Sequence, residues 1–275
     1  MRPPLSHHRF ALFCCPVCRG GLALVERRLA CRRGHSFDLA RSGYVNLTCA
    51  RKNAPAAGGD TRAQLEHRAR FLERGHFDAI ADEIADHARG AAAILEAGCG
   101  TGFHLARIAE RLAPRIAAGL DLSKEAAAWC ARRYPEVGFA VADIWGSWPV
   151  HDQSVDLVAG IFAPRNFPET ARVLRPGGWL AIAFPGPGHL QELRGFGLIG
   201  AAADKASQYR ARLARDFHSP LERGIVQQVA LERDAVIDAI LMGPSAWHLG
   251  GVQPERIPER MAVTIDVVLL LARRR

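Results

Sequence analysis

Apolar residues recur along the middle of the chain in two alternating patterns. Short apolar runs alternate with segments in which apolar positions lie three and four residues apart. The runs predict buried strands, and the spaced segments predict amphipathic helices. Strands are predicted at 93–97, 115–120, 137–142, 155–161 and 178–184, and helices at 102–112, 123–133 and 167–174. This alternation is typical of an α/β domain with a mostly parallel sheet.

Other patterns lie on both sides of this region. Helices are predicted at 61–74, 77–88, 201–217 and 234–241, and strands at 225–231 and 263–271. Residues 1–12 combine Pro, His and basic residues without a period, so we expect a frayed tail. The Ala- and Gly-rich residues 53–59 predict a hinge. We therefore divide the chain into a small module at 1–50, a linker at 51–60 and a main domain at 61–275.

The turn after the first strand of the alternating region has the features of a ligand-binding loop. Glu96 lies near the end of the apolar run, and Gly98, Gly100 and Gly102 lead into the next helix. Glycines here let the backbone approach a ligand closely, and free N–H groups of the helix N-terminus point toward it. Asp121 ends the following strand about 20 residues later, where nucleotide-binding units place a carboxylate on ribose hydroxyls. The sequence therefore predicts a ribose-containing ligand, unless the glycines serve packing alone.

The glycine spacing indicates which nucleotide binds. The spacing is G-x-G-x-G, whereas the dinucleotide fingerprint is G-x-G-x-x-G. A carboxylate at Glu96 would repel a pyrophosphate but suits the ammonium group of a methionine moiety. The stretch resembles motif I of the S-adenosylmethionine (SAM)-dependent methyltransferases, and Asp121 and Asp143 follow at matching intervals. The resemblance implies a Rossmann-like class I methyltransferase fold with a mostly parallel seven-stranded sheet.

The same resemblance implies roles for individual residues. Asp121 would hold the ribose hydroxyls and Asp143 the exocyclic amine of adenine, with Ile144 beside the ring. For Asp143, a solvated side chain at a strand end is the alternative interpretation. The residues assigned to the cofactor are Glu96, Gly98, Cys99, Gly100, Thr101, Gly102, Asp121, Leu122, Asp143 and Ile144.

Composition limits the partners and the compartment. The 275 residues include 36 Lys and Arg against 28 Asp and Glu, a formal net charge of +8. A basic surplus favours a polyanionic partner such as nucleic acid. The sequence has no long apolar run and no signal-peptide pattern, so we expect a cytoplasmic protein with no membrane contact. Seven cysteines without a secretion signal argue against a disulfide scaffold and favour metal binding.

Four residues near the N-terminus have the spacing of a zinc site. Cys15, Cys18, Cys31 and His35 form the pattern C-x2-C-x12-C-x3-H. Three thiolates and one imidazole would close a tetrahedral zinc site and leave no open position, so the metal would be structural. Cys14 is an alternative to Cys15 as the first ligand, and buried cysteines without metal are the alternative to the whole site.

Several segments together resemble one family. Beside the cysteine and histidine pairs and the glycine turn, they are His35-Ser36-Phe37-Asp38, Gly43-Tyr44-Val45-Asn46-Leu47, Arg70-Phe71-Leu72 with Gly75-His76-Phe77, and residues 172–178, 187–193 and 242–247. They resemble the bacterial 23S rRNA guanine-N1 methyltransferases (RlmA family), over nearly the whole chain. Residues 141–145 and 161–166 are most similar to the branch that includes macrolide (tylosin-type) resistance methyltransferases.

This resemblance implies a reaction and partners. The enzyme would transfer a methyl group from SAM to N1 of a guanine in hairpin 35 of 23S rRNA, and macrolide resistance could follow. The zinc module would recognise RNA, and two copies of the chain would form a homodimer with a cleft for RNA. Two functions from other classes stay open: methylation of a small molecule such as a secondary metabolite, and non-catalytic rRNA binding or assembly.

The loop at 162–166 is the predicted contact for the target guanine, whose N1 is the atom to be methylated. N1 lies on the Watson–Crick edge, so the base must be unpaired and needs an aromatic or apolar pocket. Phe162, or the main chain around Ala163 and Pro164, is predicted to contact the guanine. Arg165 is predicted to stabilise negative charge on O6, with a phosphate contact or a surface ion pair as the alternative. No residue is identifiable as the general base.

Two basic helices and one tryptophan are further candidates for RNA contact. Basic residues at 62–74 and at 201–217 could contact phosphates, or could form solvated helix faces. Trp247 could stack on RNA, or could be a buried anchor.

Overall fold

The computed structural model describes residues 7–48, 59–194, 205–243 and 256–275. Its strands are β1 (Leu22–Val25), β2 (Arg28–Cys31), β3 (Ser36–Asp38), β4 (Val45–Asn46), β5 (Ala93–Ala97), β6 (Ile116–Asp121), β7 (Gly138–Val141), β8 (Val155–Ile161), β9 (Leu174–Pro185), β10 (Leu221–Glu232) and β11 (Arg260–Arg273). Its helices are α1 (Arg62–Leu72), α2 (Asp78–His87), α3 (Phe103–Leu112), α4 (Lys124–Arg133), α5 (Phe167–Val173), α6 (Gln191–Arg194), α7 (Ala206–Leu213) and α8 (Arg233–Leu241), preceded by a 3₁₀ turn at His7–Phe10.

One large sheet organises the described part of the chain. Its strand order is β10-β11-β9-β8-β5-β6-β7-β4, and the neighbours from β9 to β4 are parallel. Strand β11 pairs antiparallel with both β9 and β10. Every residue of β5 and β7 is buried, as expected for parallel strands covered on both faces. The five strands predicted in the alternating region are confirmed as β5 to β9.

The N-terminal module contributes to this sheet. Strands β1, β2 and β3 form a small antiparallel sheet that includes Cys31, whereas β4 pairs with β7 through Val45 and Ala140. The large sheet thus has one strand more than the predicted seven. Arg19 also donates to the carbonyl oxygens of Trp148 (2.7 Å) and Val150 (2.8 Å). The zinc module is therefore docked against the sheet edge at β7.

The expected frayed tail is wrong for residues 7–12. Phe10 is only 1% exposed, and Leu12 is buried beside it in the core cluster that contains β4 and β7. Arg9 donates to Pro135 O and to Gly43 O, the latter at 3.1 Å. A segment this short shows no period, so only its contacts with distant residues reveal that it is ordered.

The other predicted elements are confirmed with shifted ends. The predicted helix at 201–217 is present as α7, and residues 201–204 lie outside the described residues. The final strand is longer than predicted and pairs with β10 from Arg260 to Leu271. The predicted hinge, apart from Gly59, and Trp247 also lie outside the described residues. None of the described helices is long and apolar enough to span a membrane.

Candidate functional site

The predicted zinc ligands come together in the N-terminal module. The ligand atoms of Cys15, Cys18, Cys31 and His35 all lie within 4.8 Å of one another. Two ligand atoms at the usual Zn–S distance of about 2.3 Å from a tetrahedral centre are about 3.8 Å apart. The observed separations are 3.7 Å between Cys18 Sγ and Cys31 Sγ, and 3.5 Å between Cys15 Sγ and His35 Nδ1. These residues fit a four-coordinate zinc ion.

Two tight turns bring these ligands together. Cys15 N–H donates to Gly20 O at 2.8 Å, and Cys31 N–H donates to His35 O at 2.9 Å. Gly34 has a φ of 87°, a left-handed conformation that glycine adopts without strain. Cys14 is fully buried outside this ligand group. The ligand group in the structure thus includes Cys15 and leaves out Cys14, and Cys15 as the first zinc ligand stays a prediction.

The glycine turn lies between β5 and α3, and β6 holds it in place. Gly98 and Cys99 both donate their N–H groups to Leu120 O, at 2.8 and 3.1 Å. The Asp121 carboxylate accepts from Gly100 N–H at 2.9 Å and from Ser123 N–H at 2.8 Å. Gly98, Gly100 and Gly102 have φ values of 77°, 51° and 73°. The turn therefore depends on glycine, and Asp121 lies directly against it.

Glu96 is buried below the turn and is 2% exposed. Its Oε2 accepts the Leu105 N–H of α3 at 3.1 Å. Burial raises the pKa of Glu96 to about 8, and the nearby Asp121 carboxylate acts in the same direction. The protonated acid is thus favoured near neutral pH, and a cationic group brought close to Glu96 would favour the carboxylate.

The adenine side of the predicted site follows β7. Ala142 N–H donates to Asp121 O at 2.9 Å, which joins the carboxyl ends of β6 and β7. Asp143 Oδ1 accepts Trp145 N–H at 2.9 Å. Leu122 is 37% exposed at the end of β6. Acidic groups at the ends of three neighbouring strands, a glycine turn and apolar side chains fit a nucleoside that carries an amino acid.

Arg68 lies over the glycine turn, a position that sequence reasoning missed. A Cβ built on Gly100 would lie 2.9 Å from Arg68 Nη1. The guanidinium pairs with Asp60, with Nη2 to Oδ1 at 3.0 Å, and donates to Met242 O at 2.6 Å. Asp60 O in turn accepts from Ser123 Oγ at 2.8 Å. This cation is therefore next to the predicted methionine and ribose subsites.

The remaining basic residues of this segment face acids of the same chain. Arg62 pairs with Glu66 at 2.8 Å within α1. His67 and Arg70 pair with the buried Asp238 of α8, each at 2.8 Å, and Arg74 lies 3.7 Å from the same carboxylate. These pairs join α1 to α8. They favour a structural role over the phosphate contacts considered for this helix.

The loop after β8 presents an aromatic surface. The Phe162 ring centroid lies 5.3 Å from that of Phe77 and 6.1 Å from that of His189. Phe77 and His189 are stacked at 5.9 Å. Phe162 is 38% exposed and has a φ of 51°, an uncommon conformation for a bulky residue that often marks a functional site. We call these three residues the aromatic surface, of which Phe162 is exposed and Phe77 is buried.

Arg165 lies beneath this loop. Its guanidinium donates to Ala163 O and, at 2.6 Å, to Ala183 O. It also packs over the Tyr209 ring at 5.1 Å, and burial lowers the pKa of Arg165. These contacts favour a role in holding the loop. The predicted contact with guanine O6 stays a prediction, as does that of the exposed Pro164.

Protein families match the two parts of the chain separately. Residues 13–53 match a zinc-ribbon family described as RlmA, N-terminal. Residues 94–178 match a family described as a methyltransferase domain. The first range contains the four predicted zinc ligands, and the second contains the glycine turn and the loop after β8.

Relatives match over the full length. The 23S rRNA (guanine(748)-N(1))-methyltransferase of Streptomyces fradiae is 35% identical over 94% of this chain and 95% of its own length. A protein of Micromonospora griseorubida is 36% identical over 100% of this chain and 99% of its own length. Among solved structures, the YcgJ protein of Bacillus subtilis has a TM-score of 0.50 at 16% identity, covering 72% of this chain and 98% of that protein. That likeness supports the fold alone.

Proposed function

Because this chain belongs to the 23S rRNA (guanine-N(1))-methyltransferase family, we propose that it methylates N1 of a guanine in hairpin 35 of 23S rRNA. The chain is a SAM-dependent methyltransferase with a structural zinc site. The relative from Streptomyces fradiae is named for guanine 748, and we propose the equivalent guanine as the target here. The proposal includes macrolide resistance as a consequence of this methylation.

One contact carries the proposal. The loop with the exposed Phe162 lies directly against the glycine turn, since a Cβ on Gly98 would come within 2.5 Å of the Ala163 Cβ. A base that rests on the aromatic surface would therefore be next to the methyl donor. Methyl transfer depends above all on such alignment of the two reactants.

We assign each part of the SAM molecule to different residues of the site. When bound, SAM supplies a sulfonium methyl group that a nucleophile can attack. Asp121 would hold the ribose hydroxyls, Glu96 the ammonium group and Arg68 the carboxylate. Asp143 would accept the adenine amine, with Leu122 and Ile144 beside the ring. The glycine turn, with Cys99 and Thr101, would border the ribose and methionine moieties.

The remaining residues would hold the substrate. Phe162 and Pro164 would contact the unstacked guanine, because a base taken out of a helix needs a surface to stack on. Arg165 would keep the loop in place and, as its proposed chemical role, would stabilise charge on O6. The zinc module at 1–50 would position the RNA over the domain at 61–275, with 51–60 as the linker.

Methylation of a defined RNA tests this function. Zinc-loaded protein is incubated with SAM and a hairpin 35 transcript, and the product is located by primer extension and identified by mass spectrometry. We expect a stop at a single guanine and a nucleoside that co-elutes with N1-methylguanosine. A protein that binds S-adenosylhomocysteine but leaves the RNA unmodified would contradict the proposal. Methylation of a macrolide under the same conditions would support the small-molecule alternative.

The proposal also covers location and assembly. An enzyme that modifies ribosomal RNA works in the cytoplasm. We further propose that two copies associate to form the RNA cleft, as the family resemblance implies. Light scattering of the purified protein, with and without RNA, gives the mass that tests this.

A further inference from the structure

We propose that His189 is a catalytic residue that donates its Nε2–H to O6 of the target guanine, next to the aromatic ring of Phe162. This inference rests on the proposed function and adds a residue that the sequence did not identify. Three observations support this role: the position of the His189 imidazole, the hydrogen-bond partner of its Nδ1, and the aromatic rings that stack on it.

The backbone around His189 is fixed to β11. Gly186 N–H donates to Asp266 O at 2.8 Å, and Gly188 N–H donates to the Asp266 carboxylate at 2.8 Å. Leu190 N–H donates to Thr264 O at 2.7 Å. This turn follows the carboxyl end of β9, on the side of the sheet where ligands of parallel α/β sheets bind. His189 is therefore held in place beside the cofactor edge.

The hydrogen bond at Nδ1 determines the tautomer. Asp266 N–H donates to His189 Nδ1 at 3.3 Å. A neutral imidazole that accepts at Nδ1 carries its proton on Nε2 and is a donor there. Burial lowers the pKa of His189 to about 4, although Asp266 acts in the opposite direction; Arg194 of α6 also lowers the pKa. The ring is thus neutral at pH 7 and donates from Nε2.

Two aromatic rings flank His189, and one of them is exposed. Phe77 and Phe162 stack on the imidazole with interplanar angles of 22° and 30°. Phe77 is buried, whereas Phe162 is exposed, and the next residue, Ala163, packs against Gly98 of the glycine turn. A guanine placed beside Phe162 can direct its Watson–Crick edge toward the methyl donor and its O6 toward His189.

The reaction needs such a donor. The N1–H proton passes to water, and the electron pair it leaves is shared between N1 and O6. N1 then attacks the sulfonium methyl carbon; an N1–C bond forms, the C–S bond breaks, and its electron pair stays on sulfur. O6 returns to a neutral carbonyl in the product. A fixed N–H donor at O6 stabilises the negative charge before and during methyl transfer. Neutral His189 can donate this hydrogen bond without giving up its proton to the guanine.

Two variants distinguish the effect of the Nε2–H donor of His189 from the effect of its flat ring. H189F keeps a flat ring without an N–H, and H189Q offers an amide N–H near the former Nε2. The readout is the single-turnover rate of N1 methylation on hairpin 35 RNA across pH. We expect H189F to be slower by about 10²- to 10³-fold at neutral pH, and H189Q to recover part of the loss. The deficit of H189F should shrink at alkaline pH, where N1 loses its proton without help.

Ligand affinities and ¹⁵N NMR test the role of His189 independently of the methylation rate. Affinity for S-adenosylhomocysteine should be unchanged in both variants, and affinity for RNA should fall far less than the rate of methylation. In the wild type, ¹⁵N NMR of the imidazole should show the neutral Nε2–H tautomer down to about pH 5, a range that follows from the pKa of about 4. A wild-type rate in H189F, a loss that is equal at every pH, or an Nδ1–H tautomer would overturn the role of His189. Wild-type protein that forms no N1-methylguanine would instead overturn the proposed function.

Discussion

Gly98 and Ala163 pack against each other where the glycine turn meets the loop of Phe162. A Cβ on Gly98 would lie 2.5 Å from the Ala163 Cβ and 3.2 Å from Ile144 Cδ1. Gly98 also has a φ of 77°, which a residue with a side chain adopts only with strain. Two independent requirements therefore fix glycine at this position.

Gly98→Ala is expected to lower the free energy of unfolding by about 2 to 5 kcal/mol, from the left-handed backbone and the overlap together. Affinity for S-adenosylhomocysteine should fall as well. Gly90→Ala is a matched control, because Gly90 has a φ of 85° and nothing within 4 Å of its Cβ position. Chemical denaturation and calorimetry measure both effects. Equal destabilisation by the two variants would show that overlap with Ala163 is unimportant.

Asp121→Ala should weaken binding of S-adenosylhomocysteine by about 10- to 150-fold, since hydrogen bonds to a charged group contribute about 1.5 to 3 kcal/mol. Asp156→Ala provides the comparison. Asp156 also accepts two backbone N–H groups, those of Ala92 and Ala93 at 2.9 Å, but at the opposite end of β5. It should lower stability and leave calorimetric affinity unchanged. Similar affinity losses in both variants would argue for a purely structural Asp121.

The sequence predicted the elements around this site well because buried parallel strands are continuous apolar runs. The glycine turn and the ends of β5, β6 and β7 followed directly from those runs. By contrast, the placement of Arg68 depends on Met242, which is far away in sequence. The pairing of Val45 with Ala140 and the burial of Phe10 likewise depend on distant contacts. Periodicity within one segment carries no information about such partners.

Arg68→Ala should weaken binding of S-adenosylhomocysteine but not of 5′-methylthioadenosine, which lacks the amino-acid part. The expected loss is about 10- to 150-fold, as for a hydrogen-bonded charge. Arg62→Ala removes a cation from the same helix, where its partner is Glu66, and should affect neither ligand. Titration calorimetry measures the loss of affinity of each variant for each of the two ligands. If Arg68→Ala weakens the two ligands equally, the cation supports the turn instead of holding the carboxylate.

Glu96 should make both binding and stability depend on pH. Its pKa is raised from 4.5 to about 8, so the unliganded native state binds a proton that the unfolded state releases between these values. Stability should therefore fall as pH rises through this window. Near pH 7, the ammonium of S-adenosylhomocysteine should convert Glu96 to the carboxylate and release close to one proton.

Glu96→Gln keeps an acceptor for the Leu105 N–H but cannot ionise. We expect this variant to bind the ligand without proton release and to lose the slope of stability against pH. Calorimetry in buffers of different ionisation enthalpy counts the protons, and urea denaturation across pH gives the slope. Proton release that is identical in the variant and the wild type would place the titrating group elsewhere.

Cys15 and Cys14 are adjacent in the sequence, but we expect only Cys15 to bind zinc. The Cys15 Sγ lies 3.5 Å from His35 Nδ1 within the ligand group, whereas Cys14 is fully buried outside that group and donates its N–H to Pro149 O at 3.0 Å. Cys15→Ala should lose the bound zinc, because a site left with three ligands no longer closes the tetrahedron. The module is too small for a core of its own, so zinc loss should unfold it.

That unfolding should reach the main sheet, since β4 pairs with β7. We therefore expect Cys15→Ala to have a lower melting temperature and weaker RNA binding, with a smaller loss of affinity for S-adenosylhomocysteine. Cys14→Ala should keep one zinc per chain and lose only the packing of one small side chain. Metal analysis and thermal melts with and without chelator distinguish the two variants. Zinc retained in Cys15→Ala but lost in Cys14→Ala would reverse the assignment of the first ligand.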